Sequence, residues 1–145
     1  MPRQEILQSI ADIAEVDWQR LATEGDPFVS RAFLGAAEHC VTERGPLGWR
    51  AMHIALRDGE GIAGLLPLYE RHHWYGDFAV DYGWDRAWQQ SGLDYFPKLV
   101  TGVPFTPSPG PRLLTAGDDA VRAMLIEAVI DATVEAGASN WQCLF

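Results

Sequence analysis

Four consecutive residues, Asp81, Tyr82, Gly83 and Trp84, combine a carboxylate with two aromatic side chains. A carboxylate and a phenol at the end of a strand can act as a general base or hold a substrate by hydrogen bonds. We therefore predict that Asp81 is a catalytic residue and that Tyr82 and Trp84 bind the substrate. The alternative is structural, with Asp81 capping the following turn and the rings filling the core.

A second group lies about fifteen residues further on, where Tyr95 and Lys98 stand on either side of Pro97. Their hydroxyl and ammonium groups could bind a phosphate or carboxylate, and Arg112 could add a bidentate contact. The alternative is an edge strand that a lysine and prolines protect from pairing. Phe105 and Thr106 could line the wall of a cleft, or serve only to pack an extended segment.

A metal site is a weaker hypothesis, suggested by His72, His73 and Asp77. Adjacent histidines on a strand point to opposite faces, whereas a metal needs three or four convergent ligands. We predict a solvated loop instead. Cys40 and Cys143 lie far apart without a Cys-x-x-Cys spacing, so we predict buried thiols that form neither a zinc site nor a disulfide.

Charge and hydropathy narrow the class of protein. The chain has 145 residues, 11 of them basic and 20 acidic, for a formal charge of -9. This size predicts one domain, and this charge repels nucleic acid over most of the surface. The sequence contains neither a signal-peptide core nor an apolar run of membrane-spanning length. We therefore expect a cytoplasmic protein.

The apolar pattern predicts the elements that must position the candidate residues. In the first half of the chain they are a strand within 5–13, a helix at 17–22, a helix at 27–40, a strand at 49–56, a hairpin turn at 58–61 and a return strand at 62–69. In the second half they are a third strand at 78–82, a short helix at 85–91, an edge strand, bulged strand or extended loop at 95–107, a long helix capped by Asp118 and Asp119, and a buried strand at 141–145. This order predicts an α/β (α+β) fold with a mixed, mostly antiparallel sheet flanked by helices. Because the last residues are predicted to form a buried strand, we expect the sheet to be incomplete and the chain to stop inside a larger protein.

Several strings resemble the FemAB-like group of the acetyltransferase (GNAT) superfamily. They are DPFVSRAFL from Asp26, PLY from Pro67, DYGW from Asp81, YFPKL from Tyr95, VPFTP from Val103 and GPRLL from Gly110. The YFPKL and VPFTP strings are the most specific, and the resemblance extends from about Ile6 to Phe145.

The resemblance implies two GNAT-like domains in tandem and a link to peptidoglycan biosynthesis. Residues 1–145 would then be the first domain, which shapes the acceptor site of an acyl or aminoacyl transferase. This domain would need either the second domain or a homodimer partner to cover an exposed sheet edge. An aminoacyl-tRNA donor is implied by analogy only. The alternative is a non-catalytic module that recognises a cell-wall precursor or a partner subunit.

One departure from a GNAT enzyme concerns the cofactor. Acetyl-CoA enzymes hold the pyrophosphate on a Gly-rich loop at the start of the long helix. Here the stretch 113–119 has one glycine and ends in Asp118 and Asp119, whose carboxylates would cap the helix and repel a pyrophosphate. We predict that this domain does not bind acetyl-CoA.

Overall fold

The computed structural model describes residues 2–22, 25–42, 48–59, 61–75, 78 and 81–145. Within these residues helices pack on two mostly antiparallel sheets, which confirms the predicted α+β class. The elements are β1 (Arg3–Leu7), α1 (Glu15–Leu21), α2 (Arg31–Thr42), β2 (Trp49–Ala51), β3 (His53–Asp58), β4 (Gly61–Leu66), β5 (Tyr69–Arg71), α3 (Tyr82–Gln90), β6 (Lys98–Thr101), α4 (Asp119–Glu135) and β7 (Trp141–Cys143), with 3-10 turns at Ile10–Asp12 and Pro27–Val29.

A long hairpin connects the two sheets. One sheet has the strand order β1-β3-β4 and the other β2-β5-β6-β7. Each arm of the predicted hairpin is divided in two, at Met52 in the first arm and at Pro67 and Leu68 in the second. Pro67 has no amide hydrogen to donate, so the regular ladder cannot continue through it. The hairpin turn at 58–61 is confirmed by the pairing of Asp58 with Gly61, although Glu60 lies outside the described residues.

The segment from Lys98 to Thr101 differs from the prediction. It is an interior strand, antiparallel to β5 and parallel to β7, and all four of its residues are buried. The prediction of an edge or extended segment is therefore wrong for β6. Pro97 and Pro104 flank the strand without interrupting it, so its amide groups remain available for pairing.

The final strand is also placed differently. β7 is a partly exposed strand that pairs with β6 alone among the described residues, so it lies at the edge of the sheet and not inside it. The apolar run that predicted burial packs only on one side, where Trp141 contacts the core beneath α4.

Two further predictions are corrected. Phe78 is not in a strand and Tyr82 begins α3, because the amide of Asp85 donates to the carbonyl of Asp81 and starts a helical turn (2.9 Å). Residues 79 and 80 lie outside the described part. The predicted strand within 5–13 ends at Leu7, and Ser9 caps the following 3-10 turn by accepting from the amide of Ala11 (3.1 Å).

The two faces of the strands have different neighbours. One face of the hairpin packs against the apolar side of α4, where Leu66 belongs to the same buried cluster as Leu125 and Val129 of the helix. Leu99 of β6 belongs to this cluster as well. Since side chains alternate along a strand, the register pairs Tyr69 with Val100 and Arg71 with Lys98 on the opposite face of the second sheet. No helix in the described part of the chain is long and apolar enough to cross a membrane.

Candidate functional site

Three of the predicted site residues converge on the sheet face opposite α4. Lys98 donates to the carboxylate of Asp81 and to Oε1 of Gln142 (3.0 Å). Nε2 of Gln142 in turn donates to the hydroxyl of Tyr95 (3.1 Å). Lys98 is 0% exposed, Asp81 5% and Tyr95 4%, so this chain of contacts lies almost wholly inside the protein.

The local sequence explains why these groups meet. The parallel register places Val100 beside Gln142, so residues 98 and 142 extend from the same face of β6 and β7. Tyr95 precedes the cis Phe96–Pro97 peptide, and its ring packs edge-on against Trp88 of α3 (5.7 Å). That contact brings α3, and Asp81 at its start, over the beginning of β6.

The surroundings of Tyr95 keep its hydroxyl protonated. Burial raises the pKa of Tyr95, and the nearby carboxylate of Asp81 raises it further, against the opposing effect of hydrogen bonds from Asn140 and Gln142. Tyr95 is therefore a neutral hydrogen-bonding group over the physiological range.

For Asp81, the structure bears only on the alternative role of capping a turn. Asp81 is at the N-cap position of α3 but its side chain makes no capping hydrogen bond, because the carboxylate binds Lys98 instead. Tyr82 and Trp84 are exposed, so the alternative that their rings fill the core is wrong. Lys98 does not protect a sheet edge from pairing, since β6 is an interior strand. The catalytic role of Asp81 stays a prediction.

Arg71 is a site residue that the sequence did not suggest. It is fully buried opposite Lys98, and its guanidinium stacks on the ring of Trp49 (3.9 Å to the centroid). It donates to the carbonyls of Gly48 and His73 (both 3.1 Å) and of Tyr75. The sequence feature that could have identified Arg71 is a charged residue at a position where the alternation of the strand points inward. Arg71 thereby fixes the backbone on both sides of Trp74.

An exposed group of rings lies beside these buried residues. Trp74 contacts Tyr75 and Tyr82 with ring centroids 6.4 Å apart in each case, and all three side chains are about half exposed. We call Trp74, Tyr75 and Tyr82 the aromatic surface. Contiguous exposed rings of this kind mark binding surfaces, because they offer large apolar faces with polar edges.

The other predicted substrate-binding residues are not brought to this surface. Trp84 follows Tyr82 by two residues, which places it about 200° away around α3. Phe105 rests against Trp49 (6.2 Å) with a φ of 55°, and Thr106 donates to the carbonyl of Pro104 (3.0 Å).

Among the described residues, the hydrogen-bond partners of Arg112 are the backbone oxygens of Ser108 (2.5 Å), Leu144 (3.0 Å) and Pro111 (3.2 Å). Burial lowers its pKa, with an opposing effect of Cys143 and Asp26. It lies near the C-terminal end of β7, whereas Lys98 is at the start of β6.

A separate polar cluster, centred on Glu38, ties α2 to the sheet. Glu38 accepts from Oγ of Ser9 (2.8 Å), the amide of Ile10 (3.0 Å) and Nε2 of His53 (2.5 Å). The amide of Leu68 donates to Nδ1 of His53 (3.0 Å), which assigns the ring proton to Nε2. Burial raises the pKa of Glu38, but the interactions with His53, Ser9 and Ile10 outweigh it and lower the pKa overall. Because each oxygen already has partners, Glu38 is structural, and so is His53.

The hypothesis of a metal site gains no support from geometry. No group of three or more His, Cys, Asp or Glu side chains among the described residues is placed to hold a metal ion. His72 faces Glu70 (3.1 Å), and Asp77 lies outside the described part. Cys40 and Cys143 are exposed thiols, so the prediction of buried cysteines is wrong. Cys40 lies on the outer side of α2, and Cys143 lies on the edge strand.

The amide groups at the start of α4 are already hydrogen-bonded by a side chain of the protein. Oδ1 of Asp118 accepts from the amides of Ala120 (2.9 Å) and Val121 (3.1 Å). The adjoining cleft, lined by residues including Thr115, Gly117 and Arg122, has a volume of about 40 Å³. Small-molecule sites are usually several hundred Å³. That this domain does not bind acetyl-CoA stays a prediction.

The family model FemAB-like, described as peptidoglycan biosynthesis/recognition, matches residues 9–145. No curated protein and no solved structure matches the chain.

Proposed function

Because the chain belongs to the FemAB-like family, with its role in peptidoglycan biosynthesis/recognition, we propose that it binds a peptidoglycan precursor as the acceptor-side domain of an N-acyl or aminoacyl transferase. The observation that carries the proposal is the aromatic surface held directly beside the buried Asp81–Lys98 pair.

The aromatic surface suits the carbohydrate part of such a precursor. Ring faces pack against the apolar face of a sugar, while the hydroxyl groups of Tyr75 and Tyr82 can hydrogen-bond at its rim. Arg71 fixes the backbone around Trp74, and Lys98 fixes Asp81, the residue next to Tyr82. The surface is therefore preorganised, and its contribution to catalysis is to position the acceptor amine.

The acyl donor is proposed to bind outside this domain. The capped start of α4 and the small cleft beside it support this assignment, since a carboxylate occupies the amides that would otherwise bind a pyrophosphate. In this scheme Asp81 is the candidate general base and Tyr95 and Lys98 are its partners.

Isothermal titration of the chain with a UDP-linked muropeptide tests the proposal. We expect saturable binding that Trp74→Ala and Tyr82→Ala each weaken about tenfold, corresponding to the loss of one stacked ring. Trp84→Ala is the matched control, because Trp84 is about as exposed as Tyr82 and lies on another side of the same helix α3, away from the aromatic surface. Equal weakening by all three substitutions, or binding of acetyl-CoA instead of the muropeptide, would refute it.

A second candidate function is a non-catalytic recognition module. It is favoured by the contact of Asp81 with Lys98, because a buried carboxylate that already binds an ammonium is engaged in a structural contact. The two candidates differ in one result. If the precursor binds but its amine is not acylated by aminoacyl-tRNA or another activated donor in the presence of the protein, the recognition module is correct.

A further inference from the structure

Helix α4 has a second apolar side that faces away from the protein. Ile126, Ile130 and Val134 are 38%, 53% and 76% exposed, and their spacing of four residues aligns them along the helix. The buried side of the same helix, which includes Leu125 and Val129, already packs on the sheet. A surface helix normally has one apolar stripe, so this outer stripe requires another explanation.

A row of carboxylates runs beside the outer stripe. Glu127, Asp131 and Glu135 each follow one stripe residue by a single position, and so lie about 100° around the helix from it. None of the three has an ion-pair partner among the described residues. The one cation of α4, Arg122, is 3.2 Å from Asp119. The outer side of α4 thus consists of two parallel ridges, one apolar and one acidic.

We propose that this surface binds an amphipathic helix of a partner protein, in which a ridge of lysine or arginine lies beside an apolar ridge. Side chains four residues apart form the ridges that interlock when two helices pack. A helix with leucine-like residues at that spacing would cover Ile126, Ile130 and Val134. Its basic ridge would meet Glu127, Asp131 and Glu135, and this charge pattern selects the partner.

Two other occupants fit the surface less well. A second copy of the chain presents acidic ridges of its own and a net charge of -9, and it has no basic ridge on α4. Three aliphatic side chains are also far short of the roughly 800 Å² that each partner buries in a stable interface between globular proteins. An anionic membrane surface would be repelled by the acidic ridge.

The test uses two labelled synthetic helices of about five turns, and fluorescence anisotropy of each peptide with the 145-residue chain. One peptide has a leucine ridge beside a lysine ridge, and the other has glutamate in place of every lysine. We expect saturable binding of the lysine peptide that weakens with added salt, and no binding of the glutamate peptide.

Variants of the chain then locate the binding surface. Ile130→Ser should weaken binding of the lysine peptide about tenfold, because it removes the central apolar contact. Glu127→Gln with Asp131→Asn should reduce the salt dependence. Val16→Ser is the matched control, since Val16 is an exposed aliphatic residue on α1.

Three results would overturn the proposal. The first is that Ile130→Ser and Val16→Ser weaken binding of the lysine peptide equally, and the second is that both peptides bind equally well. The third is that the lysine peptide does not bind, while the chain dimerises with rising concentration or binds anionic vesicles and Ile130→Ser abolishes that association. None of these results depends on whether the chain binds a muropeptide.

Discussion

The ammonium of Lys98 and the carboxylate of Asp81 form an ion pair that is almost completely hidden from water. The pair joins the start of α3 to the interior strand β6, across 17 residues of chain. Removing two charges from water is unfavourable unless each is paired and hydrogen-bonded, and Gln142 supplies a further contact to Lys98. The pair therefore fixes one relative position of α3 and the sheet.

Replacing one partner of this pair should be more harmful than replacing both. Lys98→Met leaves the Asp81 carboxylate buried without its cation, and we expect a loss of about 3–5 kcal/mol in the free energy of unfolding. Lys98→Met combined with Asp81→Leu should lose less than Lys98→Met alone, and therefore less than the sum of the two single losses. Urea denaturation of the four proteins measures the coupling. Additive losses would show that the two charges do not stabilise each other.

Arg71 should control precursor binding through the backbone it holds. Arg71→Met removes the hydrogen bonds to the carbonyls of Gly48, His73 and Tyr75, and we expect a loss of about 1–3 kcal/mol in stability. Muropeptide binding should fall with it, and Arg71→Lys should restore it only in part, because an ammonium lacks the planar fork. Arg57→Met is the control, since Arg57 is a partly exposed partner of Glu5. A binding constant that Arg71→Met leaves unchanged would contradict the assignment.

Glu38 should make stability depend on pH in the acid range. Its pKa is lowered from the ordinary value of 4.5 in the folded protein, so the ionised carboxylate stabilises the fold above that value. This stabilisation is lost as the pH falls from 4.5 through the lower folded-state pKa. We expect Glu38→Gln to be less stable than the native chain at about pH 7 and to approach it at about pH 3. Glu15→Gln on exposed α1 serves as control, and a difference that stays constant with pH would exclude this role of Glu38.

The contact of α4 with the sheet should depend on a single glycine. A Cβ at Gly64 would overlap Cγ1 of Val121 and come within 3.2 Å of Cδ1 of Leu125, so Gly64→Ala should cost about 1–3 kcal/mol. Gly102→Ala provides the comparison, because the nearest atom to its Cβ would be Cβ of Leu144 at an ordinary 3.5 Å. Thermal unfolding of both variants measures the difference. Equal melting temperatures would mean that α4 can move away from β4 without loss.

Local patterns predicted much of the fold correctly. The helical spacing from Val121 to Ala132, the cap at Asp118 and the hairpin turn at 58–61 each depend on residues close together in the chain. Errors arose where long-range pairing decided the result. Lys98 and its neighbouring prolines were predicted to mark an edge, and only the pairing of β6 with both β5 and β7 made that strand interior.

The sequence by itself determined the α+β class, the long helix with its carboxylate cap, and the family to which the strings around Asp81 and Tyr95 point, because these follow from spacing and from local hydrogen bonding. Only the tertiary structure decided which polar residues meet. It joined Asp81 to Lys98, added Gln142 and Arg71, and left Trp84 and Arg112 elsewhere. The physical reason is that strand register and helix packing set the distances between residues far apart in the chain, and no local pattern records them.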